Sequence, residues 1–170
     1  MCGGSREEKK AMISTKTAAQ DFLAQRRIAV AGVSRSSGGE HGGNIVYKRL
    51  RERGYEVFPV NPNADEVEGD PSYPSVGAIP GGVDAVVIAT KPSDSEQVMR
   101  DCVDAGITRA WMHRSMGAGS VSATATALGR ENGITVIDGG CPLMYGPASD
   151  FGHRVMGTVL RITGTVPRKV

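Results

Sequence analysis

Ile28-Ala29-Val30-Ala31-Gly32-Val33-Ser34 is an unbroken run of small, mostly apolar residues ending in a glycine turn. A run of small apolar residues without polar alternation predicts a strand covered on both faces. The polar segment 34–43 then leads into a helix predicted over 44–52, with Ile45, Val46, Arg49 and Leu50 at helical spacing and Gly54 where a C-terminal cap belongs. A strand, a polar turn and a helix in that order form the first half of a parallel crossover unit.

The same alternation continues outward in both directions. Tyr55–Val60 reads as a second strand, stopped by Asn61-Pro62 because proline cannot donate to a ladder. Residues 63–82 are irregular, with a short edge strand at Ser72-Tyr73 and a helical turn near Val76. Strands at 84–89, 109–113 and 134–137 alternate with helices at 93–105 and 120–132. Upstream, Ser14 or Thr15 caps a helix over 17–25 that turns Phe22 and Leu23 inward. The predicted fold is α/β: one doubly wound, mostly parallel sheet of five to six strands over residues 14–147, with helices on both faces. Residues 1–13 are expected to be a mobile arm, and 148–170 a C-terminal helix with a basic tail. In that helix Phe151, Val155, Val159 and Leu160 align, either packed on the domain or as a homodimer contact, with His153 in a structural role.

Composition narrows the function. The chain has 170 residues, 39% hydrophobic and 22% charged, which excludes disordered, collagenous and coiled-coil chains. No apolar run approaches membrane-spanning length, and the polar start MCGGSREEKK is no secretory signal. Cys2, Cys102 and Cys141 have neither metal spacing nor a paired pattern, so a reducing, cytoplasmic setting is expected. The net charge of +2 conceals basic ends around an acidic body, but the basic residues are sparse and lack interleaved aromatics. Neither a nucleic acid nor a membrane is therefore an expected partner.

In an open parallel sheet, ligands sit beyond the carboxyl ends of the strands. Those ends carry Gly32 with Ser34, Arg35, Ser36 and Ser37; Asn61, Pro62 and Asn63; Thr90, Lys91 and Pro92; His113 and Arg114; and Cys141. Two glycine-rich turns, 32–44 (from Gly32 to Asn44) and 114–120, offer backbone N–H groups at helix starts, and Arg35, Lys91 and Arg114 offer positive charge. Together they point to a phosphate-bearing ligand. The dinucleotide fingerprint is broken, because Ser34 stands where its second glycine belongs and no carboxylate follows the second strand. That counts against NAD more than NADP. No Gly-Lys-Ser/Thr occurs, which counts against ATP hydrolysis.

Gly32-Val33-Ser34, Gly54-Tyr55-Glu56-Val57-Phe58-Pro59-Val60-Asn61-Pro62, Tyr73-Pro74-Ser75-Val76 and Cys141-Pro142 resemble the small CoA-binding-domain proteins. These stand-alone Rossmann-like domains are similar to the N-terminal domain of the succinyl-CoA synthetase alpha subunit. The resemblance spans about residues 17–147. It implies that coenzyme A or an acyl-CoA is the ligand. Ser34 to Ser37 would meet its phosphates or adenosine end, and the loop after Asn61-Pro62 would lie beside the nucleotide. Thr90-Lys91-Pro92 and His113-Arg114 would border the cleft, and Cys141 would lie toward the thiol. Two positions depart from the pattern. Many relatives carry lysine just after Asn-Pro, where Asn63 and Ala64 stand here, and often glutamine near Arg114.

A synthetase of that kind uses a phosphohistidine in a second domain and a nucleotide-grasping partner subunit, and neither is expected within these 170 residues. His113 can be read as a phosphate donor or acid/base, or as a packed loop residue; His41 can be read as a solvated turn residue or as a ligand contact. Cys141 can be a nucleophile or a small buried side chain. No nucleophile, base and orienter form a set. The expectation is a non-catalytic CoA-binding, sensor or carrier protein. The alternatives are an NADP-binding oxidoreductase and a CoA-ligase-like subunit that needs a partner.

Overall fold

The computed structural model describes residues 12–35, 41–115, 117–146, 154–155, 158–159, 162–164 and 166–170. Strand β1 (Arg27–Ala31) is buried at every position after the first, because its two faces meet two different helix layers. Ile28 and Val30 join the cluster formed with Phe22 of α1 (Thr15–Leu23) and Val46, Tyr47 and Leu50 of α2 (Gly42–Glu52). Ala29 and Ala31 face the other way, toward Met99 and Cys102 of α3 (Pro92–Asp104) and Ala125 of α4 (Ala123–Glu131). An unbroken apolar strand is the direct consequence of two covered faces.

The remaining strands are β2 (Glu56–Val60), β3 (Glu66–Val67), β4 (Asp70–Pro71), β5 (Ala85–Ile88), β6 (Arg109–Met112) and β7 (Thr135–Asp138). The main sheet runs β2-β1-β5-β6-β7, and every pairing in it is parallel. The expected doubly wound, Rossmann-like α/β architecture is therefore present. Ala31 pairs with both Val60 and Ile88, Ile88 with Met112, and Met112 with Asp138. All five carboxyl ends thus finish level, which places their loops along one rim. Beneath the sheet Trp111 lies edge-on between Phe22 and Tyr145, at 5.4 Å from each ring centroid, and donates its indole N–H to the Gly139 carbonyl at 2.9 Å. Satisfying that donor removes the penalty a buried indole otherwise carries.

Several boundaries differ from the sequence reading for tertiary reasons. Strand β1 ends at Ala31 rather than Val33, since Gly32 turns to φ +94° while its N–H still donates to the Val60 carbonyl at 3.1 Å. Helix α2 begins two residues early, at Gly42. Helix α4 begins at Ala123, capped by Ser122, because Ser120 is turned inward and is 1% exposed. The irregular region holds a hairpin, β3–β4, that no sequence pattern announced, while Tyr73 makes a single parallel bridge to Val60.

At the termini, Ile13 exchanges two backbone hydrogen bonds with Val170, both 3.0 Å, although it stands at the end of the expected arm. Most of that arm (1–11), Ser36, Ser37, Phe151, His153 and Leu160 lie outside the described residues. Of the expected terminal helix, Val155 and Val159 are 47% and 52% exposed, so these two side chains are not covered by the domain. No helix among the described residues is long and apolar enough to cross a membrane.

Candidate functional site

Strand order reverses between β1 and β5, and the loops leaving their carboxyl ends diverge there to leave a cleft. Its floor depends on missing side chains. A Cβ on Gly32 would lie 2.5 Å from the Ala89 carbonyl oxygen, and one on Gly43 would lie 2.6 Å from the Gly32 carbonyl oxygen. Backbones from β1, α2 and β5 therefore meet almost in contact, which only glycine permits at these two positions.

From this crossing a groove runs both ways along the rim. Toward β2 it widens to about 600 Å³ between the Gly32–Ser34 turn, Asn61-Pro62-Asn63 and one face of α3. Toward β6 it continues for about 310 Å³ past Gly42, Gly43, His113 and Ser120. Both sections share Ala89, Thr90 and Lys91, so Lys91 stands at the middle.

Two asparagines set the first loop. Asn44, 2% exposed, accepts the Ser34 N–H on Oδ1 at 2.8 Å and donates from Nδ2 to the Ser34 carbonyl at 2.9 Å. Its second Nδ2 hydrogen goes to Glu68 at 2.6 Å. Asn61 donates to the Val33 carbonyl at 2.8 Å while its Oδ1 accepts the Asn63 N–H at 2.8 Å, closing the Asn-Pro-Asn turn. Glu68 sits at φ +53°, in the left-handed region, with Lys48 at 3.0 Å. Hydrogen bonds from Asn44 and Lys48 hold its carboxyl below the usual glutamate range.

The far side is set by two buried serines. The Ser120 hydroxyl lies 2.5 Å from the Ile88 carbonyl oxygen and 2.8 Å from that of His113. The Ser95 hydroxyl donates to the Ser120 carbonyl at 2.7 Å and lies 3.1 Å from the Thr90 hydroxyl. The ends of β5 and β6 and the start of α3 are thereby tied together.

Helix ends add directed polarity. Helices α1 and α4 are capped by Ser14 and Ser122 side chains, whereas α2 and α3 begin at His41 and Lys91 with no side-chain cap. The two uncapped starts are the two that border the groove; α2 turns its first-turn N–H groups and positive dipole end toward it, whereas α3 opens on Pro92, which has no N–H, and carries Asp94 in its first turn. His113 completes this wall. It is 9% exposed, makes no hydrogen bond through its ring among the described residues, and lines the groove. Burial lowers its pKa to about 4, so it stands there as neutral imidazole, with one donor and one acceptor nitrogen.

The structure thus gathers Gly32, Ser34, Asn61, Pro62, Asn63, Thr90, Lys91, Pro92 and His113 along the groove. Asn44 lies behind it, as the clamp on Ser34. Arg35 is exposed and does not line the groove among the described residues. Arg114 turns its Nε–H onto the Gly117 carbonyl at 2.7 Å and braces its own loop. Cys141 lies beyond His113 and is 4% exposed, with its thiol pushed up to about 11 by burial, so it is protonated at neutral pH. The sequence reading missed Asp94, Gln97 and Asp101, which line the groove from α3. Their spacing of three and four residues puts them on one helical face, the signal that could have found them. Among the described residues no cluster of His, Cys, Asp and Glu could hold a metal ion.

The chain is 38% identical over 90 residues to an ADP-forming acetate–CoA ligase II of Archaeoglobus fulgidus, covering 52% of this chain and 13% of that protein. It is 30% identical over 112 residues to the uncharacterized protein YneT of Bacillus subtilis, covering 66% of this chain and 78% of YneT. The chain therefore spans only a small part of the ligase but most of YneT. Among solved structures, a hypothetical protein of Pyrococcus horikoshii superposes with a TM-score of 0.68 at 29% identity, covering 75% of this chain and 87% of that one. A family model described as a CoA binding domain matches residues 26–147, and the chain belongs to that family.

Proposed function

We propose that this chain binds coenzyme A or a CoA thioester in the groove along the strand ends, and acts as a binding, sensor or carrier protein without a reaction of its own. The observation that carries the reading is the continuous groove across the β1/β5 reversal, with two uncapped helix starts and Lys91 at its centre. In this reading the phosphates lie between Lys91 and the first turn of α2, where charge and N–H groups converge. The adenosine end lies toward Asn61-Pro62-Asn63, where Asp94 and Asp101 can accept from amino and hydroxyl groups but would repel phosphate. The pantetheine arm then runs toward His113, whose neutral ring suits an amide or thioester.

Isothermal titration of the full chain with CoA tests the reading. Saturable binding that weakens with salt is expected. No heat with CoA at any ionic strength would overturn it.

A second reading is favoured by the similarity to an acetate–CoA ligase: a ligase-like subunit that presents CoA to a partner. Catalysis would then appear only when a nucleotide-binding partner is added to the CoA-loaded chain.

A further inference from the structure

The groove does not stop at His113. Behind the imidazole lies a further cavity of about 130 Å³ that shares Gly42, His113 and Ser115 with the Lys91 section. Its other walls are Ile45, Val46, Cys141 and Leu143. The imidazole fits at this junction because Gly42 has no side chain: a Cβ there would lie 2.8 Å from His113 Cε1. Among the described residues, none that lines it carries a charge at neutral pH, since burial keeps the His113 ring neutral and the Cys141 thiol protonated.

We propose that this cavity is an acyl subsite, which takes the short, uncharged acyl group of a CoA thioester, about two to four carbons long, and rejects dicarboxylic acyl groups. The proposal rests on the CoA reading of the groove.

Three features support it. The first is continuity, because a pantetheine arm passing Lys91 and Gly42 reaches the cavity mouth at His113. The second is size. An apolar protein cavity of about 150 Å³ accommodates benzene, so a slightly smaller one takes about five heavy atoms, the size of a butyryl group. The third is chemistry. Aliphatic walls reward methylene burial, whereas a terminal carboxylate would be desolvated with no cation among the described lining residues to meet it. His113 marks where polar ligand gives way to apolar ligand, because its one N–H can go to a thioester carbonyl while the acyl chain passes behind the ring.

Titration of the full chain with CoA and with acetyl-, butyryl-, octanoyl- and succinyl-CoA tests this. Affinity is expected to rise from CoA to butyryl-CoA by about threefold to fourfold per buried methylene. It should fall again at octanoyl-CoA, and succinyl-CoA should bind at least about tenfold weaker than butyryl-CoA. Ile45 is 38% exposed, so Ile45→Ala opens the cavity toward solvent without hollowing the core. It should move the octanoyl-to-butyryl affinity ratio in favour of octanoyl. A series in which CoA binds but chain length has no effect, or in which succinyl-CoA binds tightest, overturns the acyl subsite and leaves the CoA reading standing. Absence of binding by CoA and every thioester overturns both.

Discussion

The side-chain amide of Asn44 closes on the backbone of Ser34 from both sides, accepting its N–H at 2.8 Å and donating to its carbonyl at 2.9 Å. The first residue of the proposed phosphate loop is therefore shaped by a helix residue ten positions later, which Glu68 holds in turn. Asn44→Ala removes both of these hydrogen bonds from the half-buried Ser34 backbone, a cost of about 1–3 kcal/mol. The expected outcome is a lower midpoint in chemical denaturation and CoA affinity at least about tenfold weaker. Asn44→Asp keeps the acceptor for Ser34 but sets a carboxylate against Glu68, and should be no better.

Glycines in the same conformation should differ sharply in tolerance. Gly32 and Gly54 both have positive φ, +94° and +84°, and alanine there carries left-handed strain of about 1–2 kcal/mol. Nothing lies within 4 Å of a Cβ on Gly54, whereas one on Gly32 meets the Ala89 carbonyl at 2.5 Å. Denaturant melts should show Gly32→Ala losing at least about 2 kcal/mol more than Gly54→Ala. Equal losses would mean that the close crossing of β1 and β5 is not as described.

His113 predicts an acid-sensitive fold. The unfolded chain takes up the imidazole proton near pH 6.5 and the folded one only near pH 4. Between these values the unfolded state binds more protons, so acid favours unfolding. Stability is fully present above pH 6.5 and falls by about 3 kcal/mol as pH drops to 4. His113→Gln should flatten this part of the stability profile, measured by urea denaturation at a series of pH values.

Of the three cations at the strand ends, Lys91 alone lines the groove among the described residues. Lys91→Ala should weaken CoA binding about tenfold and reduce its salt dependence. Arg35→Ala should change affinity much less. The reverse order, by titration at two ionic strengths, would place the phosphates elsewhere.

Buried thiols should be inert. Burial pushes Cys102 up to about 12 and Cys141 up to about 11, so at pH 7.5 fewer than about one in a thousand is thiolate. Peptide mapping after brief iodoacetamide treatment of the native protein should find both unmodified. Rapid labelling of Cys141 would show that its turn opens.

The layers were legible in the order of the residues. Ile28–Ala31 and Ala85–Ile88 are apolar without alternation because helices cover both faces, and that pattern is local enough to read directly. Asn61-Pro62 marked the end of β2 by its turn chemistry, since the Asn61 side chain accepts the Asn63 N–H, whereas Pro59 lies within the edge strand without ending it. The site, by contrast, was set by contacts between segments far apart in the chain. Which asparagine clamps Ser34, that Arg114 braces its own loop while Lys91 enters the groove, and that α3 contributes Asp94 and Asp101 all depend on how separate segments meet across the strand order. The glycine pair at 42–43 shows why. Helix propensity argues against starting a helix there, yet the crossing with Gly32 and the His113 ring leaves no room for a side chain. Distant backbone contact outweighed local preference, and no local pattern records it.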